Sequence, residues 1–345
     1  MPALPSFGLT RERIADLAAR ARGRRIVVIG DVMLDRYLLG DTDRLSPEAP
    51  VPVVHVRETR MALGGAANVA ANVAALGATV HLVGVVGDDT HGNTIRTELA
   101  QQRLTDAGLL TVAGRPTTTK SRVVARTQQI VRIDEEVDSL LDGVELERLT
   151  AMALAALENA DAVLLEDYNK GALAPRLIRQ VIDTAKPRGI PIIVDPKFRQ
   201  FFDYAGATVF KPNRRELEAA LGAATDLEHR DALPSAPERL GVDNLLLTLG
   251  ADGMVLVTKD GVVTHIPSLA REVFDVSGAG DTVTAWTGTM LAAGASLQEA
   301  AQLATYAAGI EVAKAGVATV RLEEVLALHD TMHDRLGMLR RGGVI

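Results

Sequence analysis

The chain has no cysteine among its 345 residues. That excludes disulfides, thiolate metal sites and a cysteine nucleophile. Aromatic side chains make up only 3% of it, with a single tryptophan. The core must therefore come from Ala, Val and Leu, which suits helices packed on a parallel sheet. No run of about 18 apolar residues occurs, so no membrane-spanning helix is expected. The N-terminal stretch lacks the apolar segment of a secretory signal, which makes the cytoplasm the expected location. Basic residues are in deficit, 37 against 44 acidic, for a net charge of −7. This argues against a general nucleic-acid or membrane-surface binder, while leaving room for a local basic pocket. A GxxxxGK[ST] loop and a GxGxxG after a strand are both missing. So are the full HRDLxxxN catalytic-loop pattern, of which only His229–Asp231 occurs, and the DFG signal of protein kinases. His329 and His333 are spaced as in a zinc helix, but Asp330 stands where that pattern needs Glu. A solvated helix face is expected there.

What is present alternates. A helix is expected over 9–22 and a buried strand over 24–30. Further strands are expected over 79–86, 107–112, 161–166, 190–195, 207–210 and 244–249. Helices are expected over 91–102, 144–158, 175–187 and 214–221. Such alternation predicts a parallel sheet covered on both faces. Residues 253–257 and 262–266 flank Lys259–Gly261 as a hairpin. Helices over 281–293, 297–314 and 321–338 complete the chain. The stretch 37–60, with prolines at 47, 50 and 52, cannot be helical. Together with 115–136 it predicts a small sheet outside the main core, a lid on one domain spanning 1–345. Its apolar residues Val51, Val53, Val54, Val123 and Val124 predict pairing with a second copy.

The most informative stretch is Asp275–Asp281 (DVSGAGD). Small residues run into an apolar segment, so backbone N–H groups converge at a helix start. These groups are unpaired within the helix and lie at its positive end, where an anion binds. Asp281 places a carboxylate beside that anion. An anion cradle with an adjacent base is what phosphoryl transfer to a hydroxyl requires. A capped glycine turn would look the same in isolation.

Other signals are individually weaker. Gly64–Gly77 (GGAANVAANVAALG) opens on paired glycines that allow close approach of a ligand. Asn68 and Asn72 share a face of the helix that follows. Asn213 and Glu216 fit a capping box or, equally, a phosphate and hydrated Mg²⁺ site. Thr248, Gly250 and Gly253 fit a hairpin entry or a nucleotide wall. Asp31 and Asp35 follow the first strand, where open α/β sheets place ligands. They also suit turns and caps.

Taken in order, Gly64–Asn68, Asn213/Glu216, Thr248–Gly253 and Asp275–Asp281 resemble the motifs of the ribokinase-like (phosphofructokinase B) family of carbohydrate kinases. The likeness covers about residues 24–320. The last motif differs only in Ser277, where the family has Thr. Asp31–Tyr37 (DVMLDRY), Ser46–Pro52 (SPEAPVP) and Glu166–Gly171 (EDYNKG) are most similar to the family's D-glycero-D-manno-heptose 7-phosphate kinases. Glu166 and Asn169 stand where many relatives of that group have Ser and Gly.

The resemblance implies a three-layer α/β sandwich with a mostly parallel sheet and a small β-sheet lid. It implies ATP-dependent phosphorylation of the anomeric hydroxyl of a heptose 7-phosphate, giving the 1,7-bisphosphate of ADP-heptose and lipopolysaccharide-core synthesis. Some members carry a fused nucleotidyltransferase; with none before Ile345, the kinase step alone is implied. Asp281 would be the base, and the amides of Ser277, Gly278, Ala279 and Gly280 would form the anion hole. Asn213 and Glu216 would organise phosphates and Mg²⁺, Glu216 through water. Thr248, Gly250 and Gly253 would line the nucleotide site. Asp35, Gly64, Gly65 and Asn68 would hold sugar hydroxyls. A monovalent cation is also compatible with the family.

The acceptor's own phosphate needs cations. Lys120, Arg122 and Arg126 alternate along one lid strand and should face one side. Lys170 and Lys197 follow sheet strands and could point inward. The alternatives are another sugar, sugar phosphate or nucleoside as acceptor, or a non-catalytic nucleotide- or sugar-phosphate-binding regulator. An intact Asp281 argues against the last.

Overall fold

The structure, a computed structural model, describes residues 9–341 apart from 127, 223–232, 271–272 and 315, and side chains as far as Met332. Among the described residues the strands are β1 (Arg25–Gly30), β2 (Val32–Leu45), β3 (Pro52–Gly65), β4 (Thr79–Gly87), β5 (Leu109–Val112), β6 (Thr119–Ala125), β7 (Gln128–Glu135), β8 (Ala162–Glu166), β9 (Ile192–Asp195), β10 (Val209–Phe210), β11 (Asn244–Thr248), β12 (Met254–Val257) and β13 (Val263–Ile266). The helices are α1 (Arg11–Ala21), α2 (Ala66–Ala75), α3 (Thr90–Gln101), α4 (Gly143–Ala156), α5 (Pro175–Ala185), α6 (Arg214–Leu221), α7 (Ala236–Leu240), α8 (Ala279–Ala292), α9 (Leu297–Glu311) and α10 (Leu322–Arg341).

The main sheet runs β13-β12-β11-β10-β9-β8-β1-β4-β5. It is parallel except for β12 and β13, which join antiparallel. The three-layer organisation is written into β1. Ile26 and Val28 enter one core with Ile14 of α1, Val73 of α2, Trp286 of α8 and Leu303 of α9. Val27 and Ile29 enter the other with Leu149 of α4, Val181 of α5 and Leu217 of α6. Successive side chains of a strand point to opposite faces, so an unbroken apolar run at β1 is a strand covered on both sides. Among the described residues no helix is long and apolar enough to cross a membrane.

The small sheet has the order β3-β2-β6-β7. It begins earlier than the prolines indicate, because Val32 pairs with Gly65 and the ladder runs unbroken from there to Leu39. Only Asp31 separates β1 from β2. Pro47 and Pro50 fall in the connection and Pro52 opens β3, the positions a missing N–H tolerates. Gly64 and Gly65 therefore close a strand, and the helix expected from 64 starts at Ala66. The hairpin returns to its point of departure, since the Ala66 amide donates to the Asp31 carbonyl at 3.0 Å.

Two expectations are corrected here. His329 is buried rather than solvated, and its Nε2 donates to the Leu9 carbonyl at 3.0 Å; the His333 side chain lies outside the described residues. Arg126 does not continue the face of Lys120 and Arg122. A register shift at Val123/Val124 interrupts the alternation, and Arg126 follows β6 at φ 56°. It is exposed and lies 3.9 Å from Asp41.

Candidate active site

The anion loop ends where α8 begins. Gly278 is the N-cap at φ 94°, a left-handed conformation that glycine adopts without strain. A Cβ there would come within 3.0 Å of Asn68 Nδ2 and 3.1 Å of Glu311 Oε1. The Ser277 amide donates to Asp275 Oδ1 at 2.9 Å, and that of Ala279 faces the Val276 carbonyl at 3.4 Å.

Asp281, in the first turn of α8, is buried. Asn68 Nδ2 donates to its Oδ2 and the Tyr168 hydroxyl to its Oδ1, each at 2.7 Å. Burial pushes its carboxyl up to about 6, partly offset by those two hydrogen bonds. Asn72 has a supporting place. Its Nδ2 donates to Asn68 Oδ1 at 3.2 Å, and its own Oδ1 accepts from the Val320 amide. The Tyr168 hydroxyl is held protonated, by burial first and then by the Asp281 charge.

Three further charged groups surround Asp281, each at the end of an apolar strand. Glu166 ends β8, Asp195 ends β9, and Lys211 follows β10. Ligand oxygens of Glu166, Asp195 and Asp281 lie within 4.8 Å of one another. Lys211 Nζ is 2.8 Å from Asp195 Oδ2. Glu166 is fully buried, and neither carboxylate oxygen has a hydrogen-bond partner among the described residues. Burial, then the charges of Asp195 and Asp281, push its carboxyl well above the usual range. Glu311 behaves similarly, raised to about 8 by burial and then by Asp281 and Asp275.

A cleft of about 440 Å³ opens beside this cluster. It brings together Asn213, Glu216, Thr248, Gly250 and Gly253, all five candidates for the nucleotide wall, with Lys197, Lys211 and Gly280. That volume lies within the range of ligand pockets. Asn213 and Glu216 also make the full capping box of α6. The Glu216 carboxylate is thereby engaged twice, accepting from the Asn213 amide at 2.8 Å and pairing with Lys197 Nζ at 2.5 Å. Burial opposes the Lys197 charge, but Asp195 and Glu216 outweigh it and raise its basicity.

On the other side of Asp281 stand the candidates for sugar hydroxyls. Asp35 is buried and paired with Arg122, which also stacks on Tyr37 at 5.3 Å. Gly64 lies against it, where a Cβ would collide with Asp35 Oδ2. Asp31 instead staples a loop: the amides of Tyr168, Lys170 and Ala172 donate to it at 2.8, 2.9 and 3.0 Å. Asn169 within that loop sits at φ 56°, which explains why Gly or Asn suits the position. Lys170 Nζ pairs with Glu136 at 2.7 Å, while Lys197 belongs to the cleft.

Glu166, Asp195, Lys211 and Tyr168 were not predicted as site residues. For the first three the signal is a charged residue at or just after the end of a buried apolar run, where such sheets bind ligands; Tyr168, two residues past β8, carries no such signal.

The chain matches the family model described as pfkB family carbohydrate kinase over residues 24–324. It is 44% identical over 335 residues to the "Bifunctional protein HldE" of Caulobacter vibrioides, covering 95% of this chain and 68% of that one. Against the protein of the same name from Azorhizobium caulinodans it is 48% identical over 305 residues, covering 88% and 64%. It thus spans about two thirds of these relatives' length. In fold it is similar to Arabidopsis thaliana ribokinase complexed with ribose and ATP, with a TM-score of 0.71, 23% identity and coverage of 89% and 98%. It is also similar to Escherichia coli phosphofructokinase-2 in complex with substrates and products, with a TM-score of 0.74, 19% identity and coverage of 89% and 99%.

Proposed function

The chain belongs to the pfkB family of carbohydrate kinases, and from that premise we propose that it transfers the γ-phosphoryl group of ATP to the anomeric hydroxyl of D-glycero-D-manno-heptose 7-phosphate. As a family member it is a phosphotransferase with an alcohol acceptor. The heptose phosphate rests on the segments 31–37, 46–52 and 166–171 and on the relatives named HldE. One kinase unit with a lid formed by β2, β3, β6 and β7 performs the step.

The observation that carries this reading is the position of Asp281. It lies at the start of a glycine-entered helix, between the cleft and the Asp35–Asn68 side. ATP occupies the cleft along Thr248, Gly250 and Gly253, with its terminal phosphate toward Gly280. The sugar lies against Asp35, Gly64, Gly65 and Asn68. Asp281, ionised above about pH 6, accepts the hydroxyl proton as the oxygen attacks phosphorus. Asn68 and Tyr168 hold the carboxylate in place. Ser277 and Ala279 are hydrogen-bonded within the loop, so Gly278 and Gly280 are the amides best placed for the developing charge. Lys211 adds a positive charge beside them.

The residues fit a divalent cation. A buried carboxylate without a partner, beside two more, is what such an ion would complete. Glu166 and Asp195 would hold Mg²⁺ directly, with Glu216 reaching it through water. Bound Mg²⁺ neutralises phosphate charge and orients the transferring group.

ADP release with Mg-ATP and a panel of acceptors tests the reading. Turnover with heptose 7-phosphate well above that with ribose, fructose 6-phosphate or nucleosides is expected. Faster turnover on one of those would assign the site to that acceptor instead. The exposed apolar residues of the small sheet and of the connection before β3, among them Leu45, Val51, Val56, Val131 and Ile133, support association of two copies there.

A further inference from the structure

We infer that Lys120 and Lys170 form the subsite for the acceptor's own phosphate, and that the Glu136 carboxylate occupies this subsite until the substrate displaces it. The inference rests on the acceptor being a sugar phosphate, as proposed above. Lys120 comes from β6 of the small sheet, and Lys170 from the loop after β8 of the main sheet. Their ammonium groups meet on one carboxylate: Lys120 Nζ is 3.1 Å from Glu136 Oε2, and Lys170 Nζ is 2.7 Å from Oε1. Lys120 also lies 3.3 Å from Asp134. Two ammonium groups, one on each oxygen of an anion, is the arrangement a phosphate would take.

The location fits. Lys170 is two residues beyond Tyr168, whose hydroxyl touches Asp281, so their Cα atoms are at most about 7 Å apart. Lys120 is in register with Asp35 on the neighbouring strand. The pair therefore borders the segments that carry Asp35 and Tyr168, on the sugar side of Asp281. Arg115 fixes this loop, donating to the carbonyls of Ser139 and Lys170.

The other basic candidates are committed elsewhere. Arg122 is paired with Asp35, Lys197 with Glu216 in the cleft, and Arg126 is exposed beyond the end of β6. A phosphate dianion can displace the Glu136 carboxylate that the two ammonium groups share, with Asp134 remaining as a second partner of Lys120, whereas a neutral sugar cannot. Glu136 thus makes the subsite selective for phosphorylated acceptors.

Steady-state kinetics on the full chain test this, with heptose 7-phosphate, unphosphorylated heptose and inorganic phosphate as probes. Lys120→Met and Lys170→Met should each raise KM for the sugar phosphate roughly tenfold, with KM for ATP unchanged. They should weaken competitive inhibition by inorganic phosphate in parallel. Glu136→Gln should lower both constants about threefold and leave the unphosphorylated sugar unaffected. Lys120→Arg and Lys170→Arg, keeping the charge, should stay near wild type and separate lost charge from lost folding. Unchanged KM in both Met variants, on an enzyme that turns over heptose 7-phosphate, overturns the subsite alone. A wild-type enzyme that turns over only unphosphorylated acceptors overturns the acceptor reading and the subsite with it.

Discussion

The two sides of Asp281 are built from different materials. The cleft side is walled by Gly250, Gly253, Ala279, Gly280, Ala308 and Gly309, with its charges confined to two pairs, Lys197 with Glu216 and Lys211 with Asp195. Backbone and shape do the holding there. The sugar side is a set of charges that already answer one another: Asp35 with Arg122, Glu136 with Lys120 and Lys170. A change on the first side alters space and backbone angle. On the second it strands a charge, which costs more than the contact itself contributes. On the proposed reading, one wall serves the phosphoryl donor while the other is tuned to the acceptor.

Removing the group where the sides meet should have the largest effect. Asp281→Asn should lower kcat by roughly 10³–10⁴ while nucleotide binding persists; a near-normal rate would show that neither side depends on this carboxylate. Gly278→Ala comes next. Its φ of 94° and the crowding by Asn68 and Glu311 displace the loop, and kcat should fall by roughly 10² with KM for both substrates little changed. A loss seen in KM for the sugar would move this glycine to the other side of the comparison.

The pH profile is a finer probe. In the proposed mechanism the base is ionised Asp281, whose carboxyl is raised to about 6 by burial. The rate should therefore fall about tenfold per unit below that pH. Asn68 lowers this value through its hydrogen bond, so Asn68→Ala should move the acid limb upward. A limb unmoved by that change would detach Asn68 from the base. The smallest contrast lies within the cleft wall. Gly250 is at φ 60° with open space around it, whereas a Cβ on Gly253 would strike the Ile266 carbonyl. Gly250→Ala should raise KM for ATP only a few-fold, and Gly253→Ala considerably more. Equal effects would mean that the wall is not shaped by backbone approach.

Legibility in the sequence follows the same division. The cleft is made of short contiguous segments whose chemistry is local: a glycine turn entering a helix, a capping box, a strand ending in glycine. Asn213, Glu216, Thr248, Gly250 and Gly253 line one cleft, as the family resemblance implied and as their spacing alone left open. The alternation of apolar runs likewise located the strands and helices of the main sheet to within a few residues at their ends. The acid cluster was hidden because it is assembled across strands. Glu166, Asp195 and Lys211 lie far apart in the chain and meet only because β8, β9 and β10 are neighbours in one register. The pairings of Asp35, Glu136 and the lysines depend on strand register in the small sheet, which apolar periodicity does not specify. Arg126 shows the limit directly, since one irregularity in β6 breaks the alternation that placed it with Lys120. His329 was misplaced because a polar side chain whose Nε2 finds a distant backbone carbonyl, that of Leu9, can be buried without any sign in its sequence neighbours.

The hairpin β2–β3 leaves the main sheet at Asp31 and comes back at Ala66, one hydrogen bond away. An excursion whose two ends meet places almost no demand on its own length or outline. The distal end of the hairpin, beyond the Leu34–Gly40 stretch that pairs with β6, can be extended, trimmed or exchanged, while Asn68, Asp281 and the cleft keep their places. New acceptor preferences can then be sought by grafting hairpins onto an unchanged phosphoryl-transfer body.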